Sequence, residues 1–245
     1  MRYRVLILTA LLAIISGCRD NTGIRGYWSS RDLGLEDISA AEAQFTDFVE
    51  QAVKAPEKDA FAAVDMLLRK ASRDEVAYLV YADWIARGFS TLTSPCRNCP
   101  IFVHAADRIL SKGLLPDYSA EDYAKRREFC LHNRAGDKAE LPDMLDGSDI
   151  ALESGRRTLF LVVDQDCPSC REWLQRFLSP KWDNTAKVAL CYGRTPVPTA
   201  EGWECHRIDG GQSIFDTRQA PFFFVTAPDG TIEITYTSVY HETLD

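Results

Sequence analysis

T-L-F-L-V-V-D-Q-D-C-P-S-C-R-E-W-L-Q-R-F-L, running from Thr158 to Leu178, decides how this chain is read. Its first six residues, Thr158 to Val163, are β-branched or large and apolar, the pattern of a fully buried strand. A short acidic turn, Asp164-Gln165-Asp166, follows, and then Cys167-Pro168-Ser169-Cys170. From there Cys170, Trp173, Leu174, Phe177 and Leu178 repeat at the spacing of one apolar helix face, with Arg171, Glu172, Gln175 and Arg176 on the other. The C-x-x-C therefore sits where a strand hands over to a helix. Pro168 suits the first helical turn, where its missing N–H costs nothing. Cys167 is then at a helix N-terminus, whose N–H groups and macrodipole favour a thiolate. Asp166 beside it and Asp164 nearby oppose that by like-charge repulsion. A lone C-x-x-C also fits a zinc half-site or a purely structural disulfide; its place between strand and helix favours redox geometry.

A second stretch supports this reading. Gln219-Ala220-Pro221 opens the apolar run Phe222 to Thr226; the turn Ala227-Pro228-Asp229-Gly230 and the alternating Thr231 to Tyr236 complete a β-hairpin with proline at its start. With the C-x-x-C, this hairpin resembles the thioredoxin-like superfamily. The resemblance implies that Pro221 is a cis-proline facing the cysteine pair, and that Ala220 and Pro221 form the substrate-binding edge.

The amino terminus reads as a signal. Met1-Arg2-Tyr3-Arg4 is basic, Val5 to Ile15 is apolar apart from Thr9, and Ser16-Gly17-Cys18 follows. The run is too short to span a bilayer and matches a secretory segment. Ile15-Ser16-Gly17-Cys18 resembles a bacterial lipobox, which implies cleavage before Cys18 and lipidation of that cysteine, a stable anchor when multiply acylated. Cleavage would remove Arg2 and Arg4 and take the net charge from −8 to about −10, which argues against nucleic acid and against a polybasic membrane surface. Arg19 to about Glu36 is polar and carries Gly23, Gly26 and Gly34; it reads as a tether.

From about Ile38 to Asn133 the apolar residues recur at helical spacing in five segments: Ala43 to Val53, Phe61 to Leu68, Val76 to Trp84, Ile101 to Leu110, and Tyr118 to Leu131. Gly88-Phe89-Ser90-Thr91 is read as the break after the third, and Ser119 as the N-cap of the fifth. Arg134 to Ala139 reads as a linker. Glu140 to Leu152, with Leu141-Pro142-Asp143 and Asp146-Gly147, resembles the entry of membrane-tethered thioredoxin-like proteins of the TlpA and ResA kind. With the helical block ending in Asn133-Arg134-Ala135-Gly136, the chain is similar to Gram-negative lipoproteins that carry a helical module before such a domain. Lys187 to Tyr192 reads as the next strand, Gly193 to Gly211 as irregular, and Ser213 to Arg218 as a short helical or turn segment.

Three features depart from the thioredoxin pattern. Asp166 stands where thioredoxins have an aromatic residue, Leu161 stands where they keep a buried acid, and the chain ends nine residues after Tyr236, short for the usual last helix. Either the helical block covers that sheet face or the domain is trimmed. The remaining cysteines are Cys96, Cys99, Cys130, Cys191 and Cys205. Cys96-Arg97-Asn98-Cys99 fits a second redox pair, a local disulfide or half of a metal site with Cys130 and His132; Cys191 and Cys205 fit either a disulfide or a buried thiol.

The expectation is an α/β chain: a C-terminal thioredoxin-like sheet with flanking helices, preceded by an all-α helical domain. Its parts are 1–17 (signal peptide), 18–37 (tether), 38–135 (helical domain) and 140–245 (thioredoxin-like domain). Its activity is thiol–disulfide exchange through Cys167 and Cys170 with protein thiols or disulfides of the cell envelope, in the reducing direction, on the periplasmic side or outer membrane. It needs no organic or metal cofactor and no nucleic acid. The competing reading is an envelope scaffold lipoprotein in which the Cys167–Cys170 disulfide only staples the helix.

Overall fold

The computed structural model describes residues 23–145, 147–152, 155–194, 200–210 and 214–241, apart from the Ser169 side chain. Met1 to Gly17 and the lipidation candidate Cys18 lie outside the described residues, so the signal and anchor readings are carried by sequence alone.

Five helices come first: α1 (Ile38–Ala52), α2 (Glu57–Ala71), α3 (Glu75–Phe89), α4 (Cys99–Lys112) and α5 (Asp117–Leu131). Side-chain caps start three of them: the carboxylates of Asp37 and Asp74 and the Asn98 side-chain oxygen accept the N–H groups of Ala40, Ala77 and Ile101. The fifth begins at Asp117, directly after Pro116, so Ser119 is inside the first turn and is not the cap. α3 ends at Phe89 with Ser90 as its C-cap, inside the stretch read as the break, and Gly88 is its last residue but one. A Cβ at Gly88 would lie 3.3 Å from Val49 Cγ2, so the glycine permits close approach of α1 to α3.

The segment expected to be a tether is, from Ile24 onward, part of this helical core. Trp28 is fully buried, with ring contacts to Tyr27, Phe48 and Tyr81. Tyr27 Oη donates to Gln44 O at 2.7 Å, and Lys70 Nζ donates to the carbonyls of Trp28 and Arg31. Three glycines suggested a spacer, but burying Ile24, Tyr27, Trp28 and Leu33 outweighs their flexibility.

The sheet has the order β3-β2-β1-β4-β5, from β1 (Thr158–Asp164), β2 (Ala186–Tyr192), β3 (Glu204–Arg207), β4 (Phe222–Thr226) and β5 (Ile232–Ser238). β1–β2 and β2–β3 are parallel; β1–β4 and β4–β5 are antiparallel. β3 falls in the stretch read as irregular. It is four residues long at a sheet edge, too short to show a period by itself.

Alternation along β1 sends successive side chains to opposite faces. Leu159, Leu161 and Val163 meet Cys170, Trp173, Leu174 and Phe177, the last four from helix α6 (Pro168–Arg176) and its C-cap. Phe160 and Val162 face the other way, into a cluster that contains Phe129 of α5 and Leu92 of the α3–α4 loop. The Phe129 ring stacks on Tyr236 at 4.5 Å and meets Phe222 edge-on. One sheet face is therefore lined by Phe129 and Leu92 from the helical region together with Ala139, Ile208 and Phe215, and α6 with Trp182 and Val239 covers the other.

The expected linker is stitched to β5. Gly136 N–H donates to Ile232 O at 2.9 Å, Ile232 N–H to Asp137 O at 2.8 Å, and Ala139 N–H to Gly230 O at 2.9 Å. Buried Asn133 takes a positive φ of 50°, and its amide bonds the Glu140 backbone and the Tyr236 hydroxyl.

Candidate active site

β1 ends at Asp164, and the turn 165–167 delivers the chain to α6. Cys167 is the N-cap residue of α6, extended at φ −100° and ψ 107°, with Pro168 at the first helical position. Cys170 lies one turn in, on the face that packs against β1, and is 5% exposed, whereas Cys167 is half-buried. The pair is in the dithiol form, the Cys170 thiol hydrogen-bonded to Cys167. Burial, then the hydrogen bond to Cys167 and its charge, then Asp164, push the Cys170 thiol up to about 12; a hydrogen bond from the Asp164 backbone opposes them.

Each acid of the turn is tied to backbone. Asp164 Oδ1 accepts from Asp166 N–H at 2.8 Å, and the Asp166 carboxylate accepts from Arg194 N–H at 3.0 Å and 3.1 Å. Gly193 makes this possible. It has φ +108°, and a Cβ there would come within 3.0 Å of Asp164 Oδ1 and 3.2 Å of Asp166 Cγ. Tyr192, opposite Asp164 in the register, donates its hydroxyl to Thr217 O at 2.7 Å. Burial first, then the charges of Asp164, Cys170, Cys167 and Asp216, hold its phenol above the ordinary value. Leu161 is fully buried in the apolar layer under α6. Gln165 is 1% exposed, and its side-chain nitrogen and oxygen are buried with no hydrogen-bond partner among the described residues. The fully buried Cys191 thiol is pushed up to about 12, by burial first and then by the Cys205 charge, while the Gln165 side chain pulls the other way.

The Ala220–Pro221 peptide bond is cis. β4 runs antiparallel to β1 with Phe222 opposite Val162, so Pro221 lies at the end of the sheet from which the cysteine turn leaves. The structure thus brings Cys167, Cys170, Ala220 and Pro221 to one sheet end. Tyr192, Gly193 and Arg194 belong to the same end and were not singled out in the sequence. A glycine directly after a predicted strand was their only signal.

The other cysteines are elsewhere. Cys99 and Cys130 form a disulfide that joins α4 to α5, which removes both sulfurs from the metal set and excludes a Cys96–Cys99 bridge. His132 instead meets Glu128 and Glu140. Cys191 and Cys205 are thiols; the register sets Cys205 opposite Ala189 and Cys191 opposite Arg207, two residues out of step for a bridge.

No family model matches the chain, and no curated protein matches it. Among solved structures, a thioredoxin-like protein from Bacteroides caccae superposes over 96% of this chain and 95% of its own, with a TM-score of 0.69 at 14% identity. The chain has a thioredoxin-like fold. That fold carries its helical region ahead of the sheet, and the superposition spans both. The thioredoxin domain of a thiol-disulfide oxidoreductase from Bacteroides vulgatus is 13% identical, covers 42% of this chain and 87% of its own, and has a TM-score of 0.29. A thioredoxin-like protein from Aeropyrum pernix is 16% identical, covers 52% and 90%, and has a TM-score of 0.31. At those scores the last two add nothing to the argument.

Proposed function

We propose that this protein is a thiol–disulfide oxidoreductase, anchored through Cys18 in a bacterial cell envelope and acting as a reductase of protein disulfides. One observation carries the redox reading: a half-buried cysteine at a helix N-cap, hydrogen-bonded to a buried cysteine whose thiol is pushed up to about 12. At neutral pH Cys170 keeps its proton, so the attacking thiolate is Cys167. Cys167 Sγ attacks one sulfur of a substrate disulfide, and the other leaves as a thiolate. Cys170 then loses its proton and attacks Cys167 Sγ, which releases the second substrate thiol and leaves a Cys167–Cys170 disulfide. Two electrons pass to the substrate. The acids in the turn favour the reducing direction, because they disfavour the Cys167 thiolate and with it the reduced form as an end state. The residues in these roles are all the chain's own; no cofactor enters the reaction as written.

The trapping experiment uses the whole chain, because Leu92 and Phe129 complete the sheet core. Cys170→Ser should accumulate mixed disulfides through Cys167, and Cys167→Ser almost none. If neither cysteine reacts with a thiol reagent until the protein unfolds, the pair is a staple and the scaffold reading stands. The anchor is tested separately: Cys18→Ser should release the protein into the soluble fraction or leave it unprocessed. An intact mass showing a different mature terminus without acyl chains would remove the anchor from the proposal.

A further inference from the structure

The cysteine pair and the Ala220–Pro221 edge at the same sheet end are held from different sides. Cys167 and Cys170 rest on β1 and α6, whereas the segment leading to Ala220–Pro221 is gripped by the helical layer. Arg218 donates from Nε and Nη2 to the two Asp216 carboxylate oxygens, at 2.7 Å and 3.0 Å, and its Nη1 crosses to Asp122 of α5. The Asp216 side chain is 4% exposed, so its carboxylate is out of water and depends on this paired contact. Asp122 accepts a second guanidinium, Arg126, at 2.7 Å. Burial alone would raise the Asp122 pKa, but Arg126 and Arg218 outweigh it and hold the carboxyl below its ordinary value. The next residue is held as well: Gln219 Oε1 accepts the Leu92 N–H at 2.7 Å, and its Nε2 donates to Asp216 at 3.0 Å. Thr217 O takes the Tyr192 hydroxyl.

Three consecutive residues, Thr217, Arg218 and Gln219, are therefore fixed by polar contacts just before the cis Ala220–Pro221 bond, two of them to the helical layer. Packing alone does not call for this. Phe215 and Leu92 already bury the apolar side of the contact, and polar contacts add direction where apolar ones add only area. The clasp sets where the edge stands relative to Cys167. On the reading that Ala220–Pro221 is the substrate-binding edge, a small disulfide would reach Cys167 without using it, whereas an extended polypeptide would lie along it.

We infer that Asp122 and Gln219 are positioning residues through which the helical layer presets the Ala220–Pro221 edge for extended polypeptide disulfides. The inference rests on the redox reading proposed above and gives the helical layer a task in it. Preorganising a binding edge lowers the ordering cost of the bound chain, so its loss falls on binding more than on chemistry.

The test compares the whole chain with Asp122→Ala, Gln219→Met and the double variant. Each is assayed with a disulfide-bonded peptide over a range of concentrations, with hydroxyethyl disulfide, and by the rate of Cys167 alkylation. In the double variant the KM for the peptide should rise about tenfold, or about 1.4 kcal/mol, with kcat, the small-disulfide rate and the alkylation rate within about twofold of the starting values. Asp122→Glu should restore most of the loss, because it keeps the charge that Arg218 meets. Peptide and small-disulfide rates that fall together, or a peptide KM that does not move, would overturn the inference. A parent chain inert toward both disulfides is a different result: it sinks the redox reading first and this inference with it.

Discussion

Phe129→Ala should cost about 4 kcal/mol of stability, and the figure follows from the ring's surroundings. Phe129 leaves the end of α5 and is fully buried against the sheet. It stacks on Tyr236 at 4.5 Å with the rings 2° from parallel, meets Phe222 at 5.8 Å, and lies 5.8 Å from the Arg97 guanidinium. Truncating a buried Phe to Ala costs about 3–5 kcal/mol through lost transfer energy and the cavity left behind. Loss of the aromatic pair accounts for about 0.5–1.5 kcal/mol beyond area. The cavity here is hard to collapse, because one wall is a helix and the other a sheet. In a chain of this size each kcal/mol moves the thermal midpoint by about 2–4 °C, so the midpoint should fall by about 8–16 °C. Urea unfolding should be followed by tryptophan fluorescence and far-ultraviolet circular dichroism together. Trp28 and Trp84 report on the helical core, and Trp173 and Trp182 on the sheet. Tyr118→Ala, at a residue 80% exposed, is the surface control and should move stability by no more than about 0.5 kcal/mol. If Phe129→Ala costs less than about 1 kcal/mol, helix and sheet do not share a core at this residue and the packing argument fails.

Other outcomes follow from the same structure. Asp166→Asn removes a charge beside Cys167 and should make the pair more oxidising; equilibration against a glutathione buffer measures this, and an unchanged or more reducing potential would refute the like-charge argument. Peptide mapping after alkylation should find Cys99 joined to Cys130, and Cys99→Ser should cost about 3–4 kcal/mol, given the sequence separation of 31 residues the bridge closes. Gly193→Ala forces a Cβ against Asp164 and Asp166 at positive φ and should cost about 1–3 kcal/mol, read by denaturant unfolding. Cys170 and Cys191 are raised from 9.0 to about 12, so in the reduced protein their contribution is complete below pH 9 and is lost as pH rises toward 12. Cys191→Ala should flatten that alkaline loss, and an unchanged slope between pH 9 and 12 would count against the buried-thiol assignment.

Local pattern was enough for much of this molecule. The strand, cysteine turn and amphipathic helix of Thr158–Leu178 could be read because period, proline position and polar face are all short-range properties. The five helices were legible for the same reason. Tertiary structure decided whatever depends on partners distant in sequence. Glycines made residues 18–37 look like a tether, yet Trp28 finds Phe48 and Tyr81 and becomes core. Cys99 has Cys96 at C-x-x-C spacing but bonds to Cys130, because the helix pairing of α4 with α5 sets which sulfurs meet. β3 exists only as an edge beside β2. The clasp of Asp122, Arg218 and Asp216 left no trace in the pattern: these are ordinary charged residues, 96 positions apart at the ends of the Arg218–Asp122 pair, and only folding sets them around one loop. Periodicity reports which face of an element avoids water; which other element meets that face is decided by three-dimensional packing of the whole chain.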